Sequence, residues 1–200
     1  MLLVMLAVIA IVAAMLLPAL AKAKQRAQRI NCVNNLKQDG LGFRSWALDQ
    51  DDRFPMAVSN AQLGTLEFVN DGRLMYHHFQ ALSNELNIPK TLVCPADNRQ
   101  PAFRFADLKN QNISYFIGLD AQDAYPGMFL TGDRNITNGL TPRLSILELR
   151  PDHPAGWTRE MHDGVGNIGL ADGSVQTFTT TRLHGATRYT GNTTNRIALP

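Results

Sequence analysis

From Met1 to Ala21 every residue except Pro18 is apolar, and no charged or polar side chain interrupts the run. At about 1.5 Å rise per residue such a run makes roughly 31 Å of helix, close to the thickness of a bilayer's hydrocarbon core. Within a soluble fold it would present apolar surface on every face. It therefore predicts a transmembrane segment over residues 1–21, anchored by Leu2, Leu3, Val4, Leu6, Ile9, Ile11, Leu16, Leu17 and Pro18. A helix satisfies its own backbone in lipid, and Pro18, near the far end, would at most bend it. A cleaved secretory signal is the competing reading, because Ala19-Leu20-Ala21 resembles a small-residue cleavage site. Against it, the run lacks a basic n-region and is longer than the usual apolar core of such signals.

The helical pattern continues past Ala21. Ala23, Ala27, Ile30, Val33, Leu36, Gly40, Phe43 and Ala47 recur at steps of three or four, with charged and amide residues between them. This spacing predicts an amphipathic continuation over residues 22–50, stopping near Asp49-Gln-Asp-Asp-Arg-Phe-Pro55, because the residue before proline avoids helical geometry. Residues 51–200 are then expected to form a globular domain.

Charge follows the same division. The chain carries 19 Lys and Arg against 17 Asp and Glu, a formal +2, yet Lys22, Lys24, Arg26 and Arg29 precede every acid. The rest of the chain is slightly acidic, so its folded part offers no basic stripe of the kind nucleic acid requires, and nucleic acid is excluded as an expected partner. Basic residues beside a single span normally stay cytoplasmic, so on their own these four would hold the domain in the cytoplasm.

Several segments together resemble the type IV pilin-like, or pseudopilin, family of planctomycete and verrucomicrobial type. They are the apolar run ending Met15-Leu-Leu-Pro-Ala-Leu-Ala-Lys-Ala-Lys24, Asn31-Cys-Val-Asn-Asn-Leu-Lys-Gln38 and Asp51-Asp-Arg-Phe-Pro55. His162, nine intervening residues and Asp172-Gly173 match the prepilin-associated H-x9-DG motif. Weaker echoes lie in Leu92-Val-Cys-Pro-Ala-Asp97, Gly132-Asp-Arg-Asn135 and Thr194-Asn-Arg-Ile-Ala-Leu-Pro200. In that family a basic leader and a glycine precede a phenylalanine, and a glutamate follows shortly after. None of these stands in the sequence, and aligning the apolar runs puts Met1 where the glutamate would fall, so the resemblance implies either a leader upstream of Met1 or a degenerate copy. Such a leader would outweigh Lys22 to Arg29 and restore a domain-out orientation. The resemblance implies an inner-membrane, single-pass protein with its C-terminal domain in the periplasm or cell exterior. Its implied partners are other pilin-like subunits, a secretion or pilus assembly platform and a prepilin peptidase.

Beyond Pro55 the period changes. Leu66–Val69 is a short strand candidate, and Met75–Leu86 reads as a helix with Met75, Phe79, Leu82 and Leu86 on one stripe. Ile113–Leu119, Met128–Thr131 and Leu144–Leu149 suit strands bounded by Gly, Pro, Asn and Asp. Asn167–Phe178 reads as a hairpin in which Asp172-Gly173 supplies a two-residue connection. Thr177 to Thr194, with Arg182, Arg188 and Arg196 in and beyond it, reads as a polar, weakly basic surface tail. The expected fold is α+β: a long N-terminal helix laid on a small antiparallel sheet, as in pilins.

Chemistry-bearing residues are few. Cys32 and Cys94 are the only cysteines. In an oxidising compartment they could pair, closing a loop of about 60 residues worth roughly 4 kcal/mol; otherwise they are buried thiols. A two-thiol metal site would need further ligands that no nearby Cys or His spacing supplies. His162 with Asp172 could orient a general base, but no nucleophile accompanies them, and a bond across the hairpin is the expected role. His77-His78 would point to different faces of a short helix. Asp49, Asp51 and Asp52, or Asp120 and Asp123, offer oxygen ligands for calcium, though neither run has a complete calcium loop. No cofactor is therefore expected, and the leading expectation is a non-enzymatic membrane-anchored subunit. The alternatives are a membrane-tethered module binding glycan or protein through Trp46, Trp157, Tyr125 or Tyr189, and a tethered enzyme using His162 and Asp172.

Overall fold

The computed structural model describes residues 2–153 and 155–200; the side chains of residues 2–4 and 6–10 lie outside that description. One helix, α1, runs from Leu2 to Leu48 with Pro18 inside it. Residues 11–27 are exposed on every side, and burial begins only around Cys32. From there Leu36, Gly40, Phe43 and Ala47 are buried, as the three-four spacing predicts. The earlier members of that stripe are not: Ala23, Ala27 and Ile30 are exposed, because α1 has not yet reached the sheet. Of the expected anchor positions, Leu2, Leu3, Val4, Leu6 and Ile9 have side chains outside the description, whereas Ile11, Leu16, Leu17 and Pro18 are exposed. Among the described residues, no helix is long and apolar enough to cross a membrane.

The expected α+β arrangement is present. Strands β1 (Tyr115–Gly118), β2 (Phe129–Asp133), β3 (Ile136–Thr137), β4 (Ile146–Leu149), β5 (Gly156–Trp157), β6 (Val165–Leu170), β7 (Val175–Thr179) and β8 (Asn195–Ala198) form two sheets. The larger is antiparallel throughout, in the order β4-β8-β1-β2-β6-β7, and β3 pairs with β5 in a short ribbon. Because successive side chains leave a strand on opposite faces, the sheet divides two cores. Tyr115, Ile117, Leu130 and Ala198 join Leu36, Phe43 and Phe79 under α1. Phe116, Phe129, Ile168, Leu170 and Ile197 meet Trp157 of the ribbon and Leu183 of α4 (Thr180–Ala186) on the other side. Both faces are covered, which is why β1 and β2 are buried along their whole length.

Several sequence expectations need correction. Leu66–Phe68 is a 3-10 turn, not a strand, since the backbone amides of Thr65 and Leu66 are tied back to the carbonyls of Pro55 and Val58. The helix expected over Met75–Leu86 is two short ones, α2 (Tyr76–Gln80) and α3 (Ser83–Leu86). Its stripe survives the break, with Met75, Phe79, Leu82 and Leu86 all in the core. The β6–β7 connection takes three residues rather than two: the Leu170 and Ser174 backbones pair, and only Gly173 has a positive φ, of 82°. That is the type I turn plus left-handed glycine of a bulged hairpin. The supposed surface tail contains β7 and α4, with Leu183 fully buried, and the closing segment is β8, an interior strand between β4 and β1.

One member of α1's buried face is anomalous. Asp39 is wholly buried and neither carboxyl oxygen has a partner; the Thr91 hydroxyl that faces it is committed to the Ile88 carbonyl at 3.2 Å. Burial pushes its carboxyl well above the ordinary value. In the unfolded chain the same group ionises above about pH 4, so only the unfolded state gives up that proton and stability falls as pH rises through this window. Asp39→Asn, with no proton to release, should gain on the native protein by about 1.4 kcal/mol for each pH unit above the ordinary value, up to the raised native one. Urea midpoints at pH 4 and pH 7 check this; a difference between the two proteins that does not grow with pH refutes it.

Candidate functional site

The H-x9-DG segment runs beside α1 and holds it at both ends. At one end the Arg29 side chain donates to the His162 carbonyl at 2.9 Å; at the other Arg44 donates to the Asp172 carbonyl at 2.7 Å. Fifteen helical residues separate those arginines, roughly 22 Å of axis, and β6 lies between the two grips. Asp172 also accepts from the Ser174 amide at 2.8 Å, fixing the turn in which Gly173 sits. His162 and Asp172 therefore serve different places, and the expected bond across the hairpin is absent: the His162 ring meets Cys94 and Asp133 instead.

Around that ring four groups converge. Cys32 comes from α1, Cys94 from the loop after a 3-10 turn (Pro89–Leu92), Asp133 from the end of β2 and His162 from the turn before β6. One ligand atom from each lies within 4.8 Å of the other three, and all four residues are buried. Chain spacing offers the two cysteines no further ligands, but tertiary folding brings Asp133 and His162 to them. The Cys32 thiol donates to Asp133 Oδ1 at 2.9 Å, and Cys94 Sγ lies 3.3 Å from His162 Nε2. The same Nε2 is 3.6 Å from Asp133 Oδ2. A nucleophile relay needs the carboxylate on the other ring nitrogen; here thiol and carboxylate both face Nε2. Both cysteines are free thiols, so the disulfide left open by the sequence is not formed.

The surroundings hold these groups in place. Asn167 donates to Asp133 Oδ2 through its backbone amide at 2.7 Å and its side chain at 2.9 Å, and Thr177 orients that side chain by donating to its carbonyl oxygen at 2.8 Å. Arg134, adjacent to Asp133, pairs with Asp97 at 2.7 Å and Glu160 at 2.8 Å, tying the ends of the segments that carry Cys94 and His162. His162 and Asp163 have φ of 47° and 53°, the left-handed region that non-glycine residues enter only under constraint.

The neighbouring Cys32 and His162 bring the Cys94 thiol down to about 5, whereas burial raises that of Cys32 well above its ordinary value. Burial lifts Asp133 to about 6. For His162 burial opposes protonation, but Cys94 and Asp133 outweigh it and leave the ring above its ordinary value. The cluster thus favours a negative charge on sulfur beside a proton-holding imidazole.

Other candidates are dispersed. His77 stacks on Phe68 at 4.2 Å, while His78 is buried against the Thr65 hydroxyl at 2.7 Å, so the pair does point apart. Asp120 holds Arg196 at 2.6 Å and Asp51 faces Arg53 at 3.6 Å, which occupies both with cations. Trp46 and Trp157 are core residues, the latter packed over Gly166; Tyr125 and Tyr189 are exposed. The tryptophans therefore offer no surface platform. Comparisons with protein-family models, with curated proteins and with solved structures each returned no match.

Proposed function

We propose that this chain is a non-enzymatic, membrane-anchored pilin-like subunit of a type II secretion or type IV pilus-like assembly. The observation that carries the reading is the division of α1. Its second half is clamped to the sheet by Arg29, Arg44 and the Phe43 core. Its first half stands clear of the domain with Ile11, Met15, Leu16, Leu17 and Leu20 each more than half exposed. Apolar surface of that extent seeks either lipid or the corresponding helices of other subunits. Ala7, Ala10, Ala13, Ala14, Ala19 and Ala21 are the small residues that let such helices approach closely. On this reading the domain sits in the periplasm or outside the cell, a prepilin peptidase processes any leader, and the partners are like subunits and their assembly platform.

The test is extraction and crosslinking of the full chain in bacterial membranes. Wild type should survive an alkaline carbonate wash and yield a crosslinked ladder. An Ile11→Lys, Val12→Lys double variant should wash out, since each lysine near the middle of a span costs about 3 kcal/mol. A wild-type chain that carbonate releases, or that crosslinks to nothing, defeats the proposal.

A further inference from the structure

We propose that Cys32, Cys94, Asp133 and His162 form a tetrahedral site for one divalent metal ion of the zinc class, which fastens α1 to the sheet domain. The donor set is the first argument. Two sulfurs and an imidazole are ligands that select zinc-like ions over calcium or magnesium, and a carboxylate oxygen completes a common four-coordinate set. Geometry is the second. Ligand atoms bound to zinc at 2.0–2.3 Å stand roughly 3.3–3.8 Å apart at tetrahedral angles. Here Cys94 Sγ and His162 Nε2 are 3.3 Å apart, and one ligand atom from each of the four residues lies within 4.8 Å of the others, so the set contracts modestly onto an ion. The 2.9 Å between Cys32 Sγ and Asp133 Oδ1 is a hydrogen bond that opens by several tenths of an ångström once an ion replaces the thiol proton.

The outer contacts are those a metal centre uses. The Ala96 amide points at Cys94 Sγ from 3.4 Å, and the Tyr115 hydroxyl and Asn167 amide point at Cys32 Sγ from 3.5 and 3.7 Å. Donors aimed at sulfur spread the charge of a bound thiolate. Asn167 occupies Asp133 Oδ2, and the Cys32 thiol is the partner on Oδ1, so Oδ1 is the oxygen released to the ion. Two thiolates and a carboxylate around a divalent ion leave one net negative charge, and the Arg29 guanidinium on the His162 carbonyl lies beside it. A cleft of about 410 Å³ between α1 and residues 159–163 opens at His162 and provides access. Because one ligand comes from α1 and the others from beyond residue 90, binding closes the chain between residue 32 and residues 94, 133 and 162. This site is independent of the membrane proposal and stands or falls separately.

Full-length protein purified in detergent under reducing conditions, stripped with chelator and titrated with cobalt(II), provides the test, with elemental analysis after zinc loading. One ion per chain is expected, with the strong visible bands of tetrahedral cobalt and a near-ultraviolet sulfur-to-cobalt transition. Cys94→Ser, which leaves one of the two sulfurs, should remove about half of the sulfur transition's intensity. Asp133→Asn, which preserves shape, should weaken zinc binding tenfold or more while circular dichroism remains native. Wild-type protein that folds under these conditions yet binds no cobalt overturns the proposal. So does an octahedral spectrum, or zinc affinity unchanged in both variants. Isolation of the protein from its membranes with Cys32 and Cys94 joined as a disulfide also overturns it, since that bond consumes two ligands.

Discussion

Gly118→Ala is expected to prevent the chain from reaching its native state. β2 slips register against β6 between Phe129 and Thr131, and there the Phe129 carbonyl comes over Gly118, so that an added Cβ would lie 1.8 Å from that oxygen. The clash is with backbone, not with a side chain that can rotate away. β1 cannot retreat, because β8 and β2 flank it and both of its faces are buried. Relief means breaking a central pairing, a cost on the order of 5 kcal/mol, comparable to the whole stability of many domains. Gly185→Ala is the matched control, as an added Cβ there meets nothing within 4 Å. Loss of the cooperative urea transition in Gly118→Ala but not in Gly185→Ala is the expected result; a cooperative Gly118→Ala protein would show that the sheet yields more readily than its geometry implies.

Phe43→Ala is expected to cost about 3–5 kcal/mol, the range for emptying a buried aromatic site. Phe43 is fully buried, edge-on to Phe54 at 6.2 Å and tilted against Phe79 at 5.9 Å. It therefore joins α1 to two segments that follow it. The second core, behind the sheet, does not include it. Limited proteolysis should consequently cut the variant within α1 well before the β6–β7 hairpin is attacked. Leu41→Ala, at a position 63% exposed on the same helix, should change the stability by no more than about 0.5 kcal/mol and so barely move the urea midpoint. Equal midpoints for Phe43→Ala and Leu41→Ala would remove Phe43 as the point of attachment.

What the sequence revealed follows from which forces are local. The Leu36, Gly40, Phe43, Ala47 stripe and the turn residues around Ile113–Leu119, Met128–Thr131 and Leu144–Leu149 carry their own period, and the corresponding helix and strands are in place. The β6–β7 hairpin was legible from Asp172-Gly173, although its length was not, because one left-handed glycine suits both kinds of connection. Leu66–Phe68 looked like a strand by composition, but two backbone bonds to earlier residues decide otherwise. β8 reads Asn195-Arg-Ile-Ala198, two polar residues then two apolar ones with no alternation, and its place depends on partners far away in the chain. The four-donor cluster shows the same limit. Residues 32, 94, 133 and 162 share no ligand spacing, yet each lies in a segment that carries the pilin-like resemblance. Asp133 in Gly132-Asp-Arg-Asn135 was the available signal, and it gains meaning only when β2 delivers it to His162.

The position of β8 has a consequence for biogenesis. Synthesis reaches this strand after every other one, yet it fills a slot in the interior of the large sheet, with β4 and β1 on either side. Until it arrives, β1 has an unpaired edge and β4 has no neighbour in that sheet. Cooperative closure of the large sheet is thus deferred to the moment the last strand is released from synthesis.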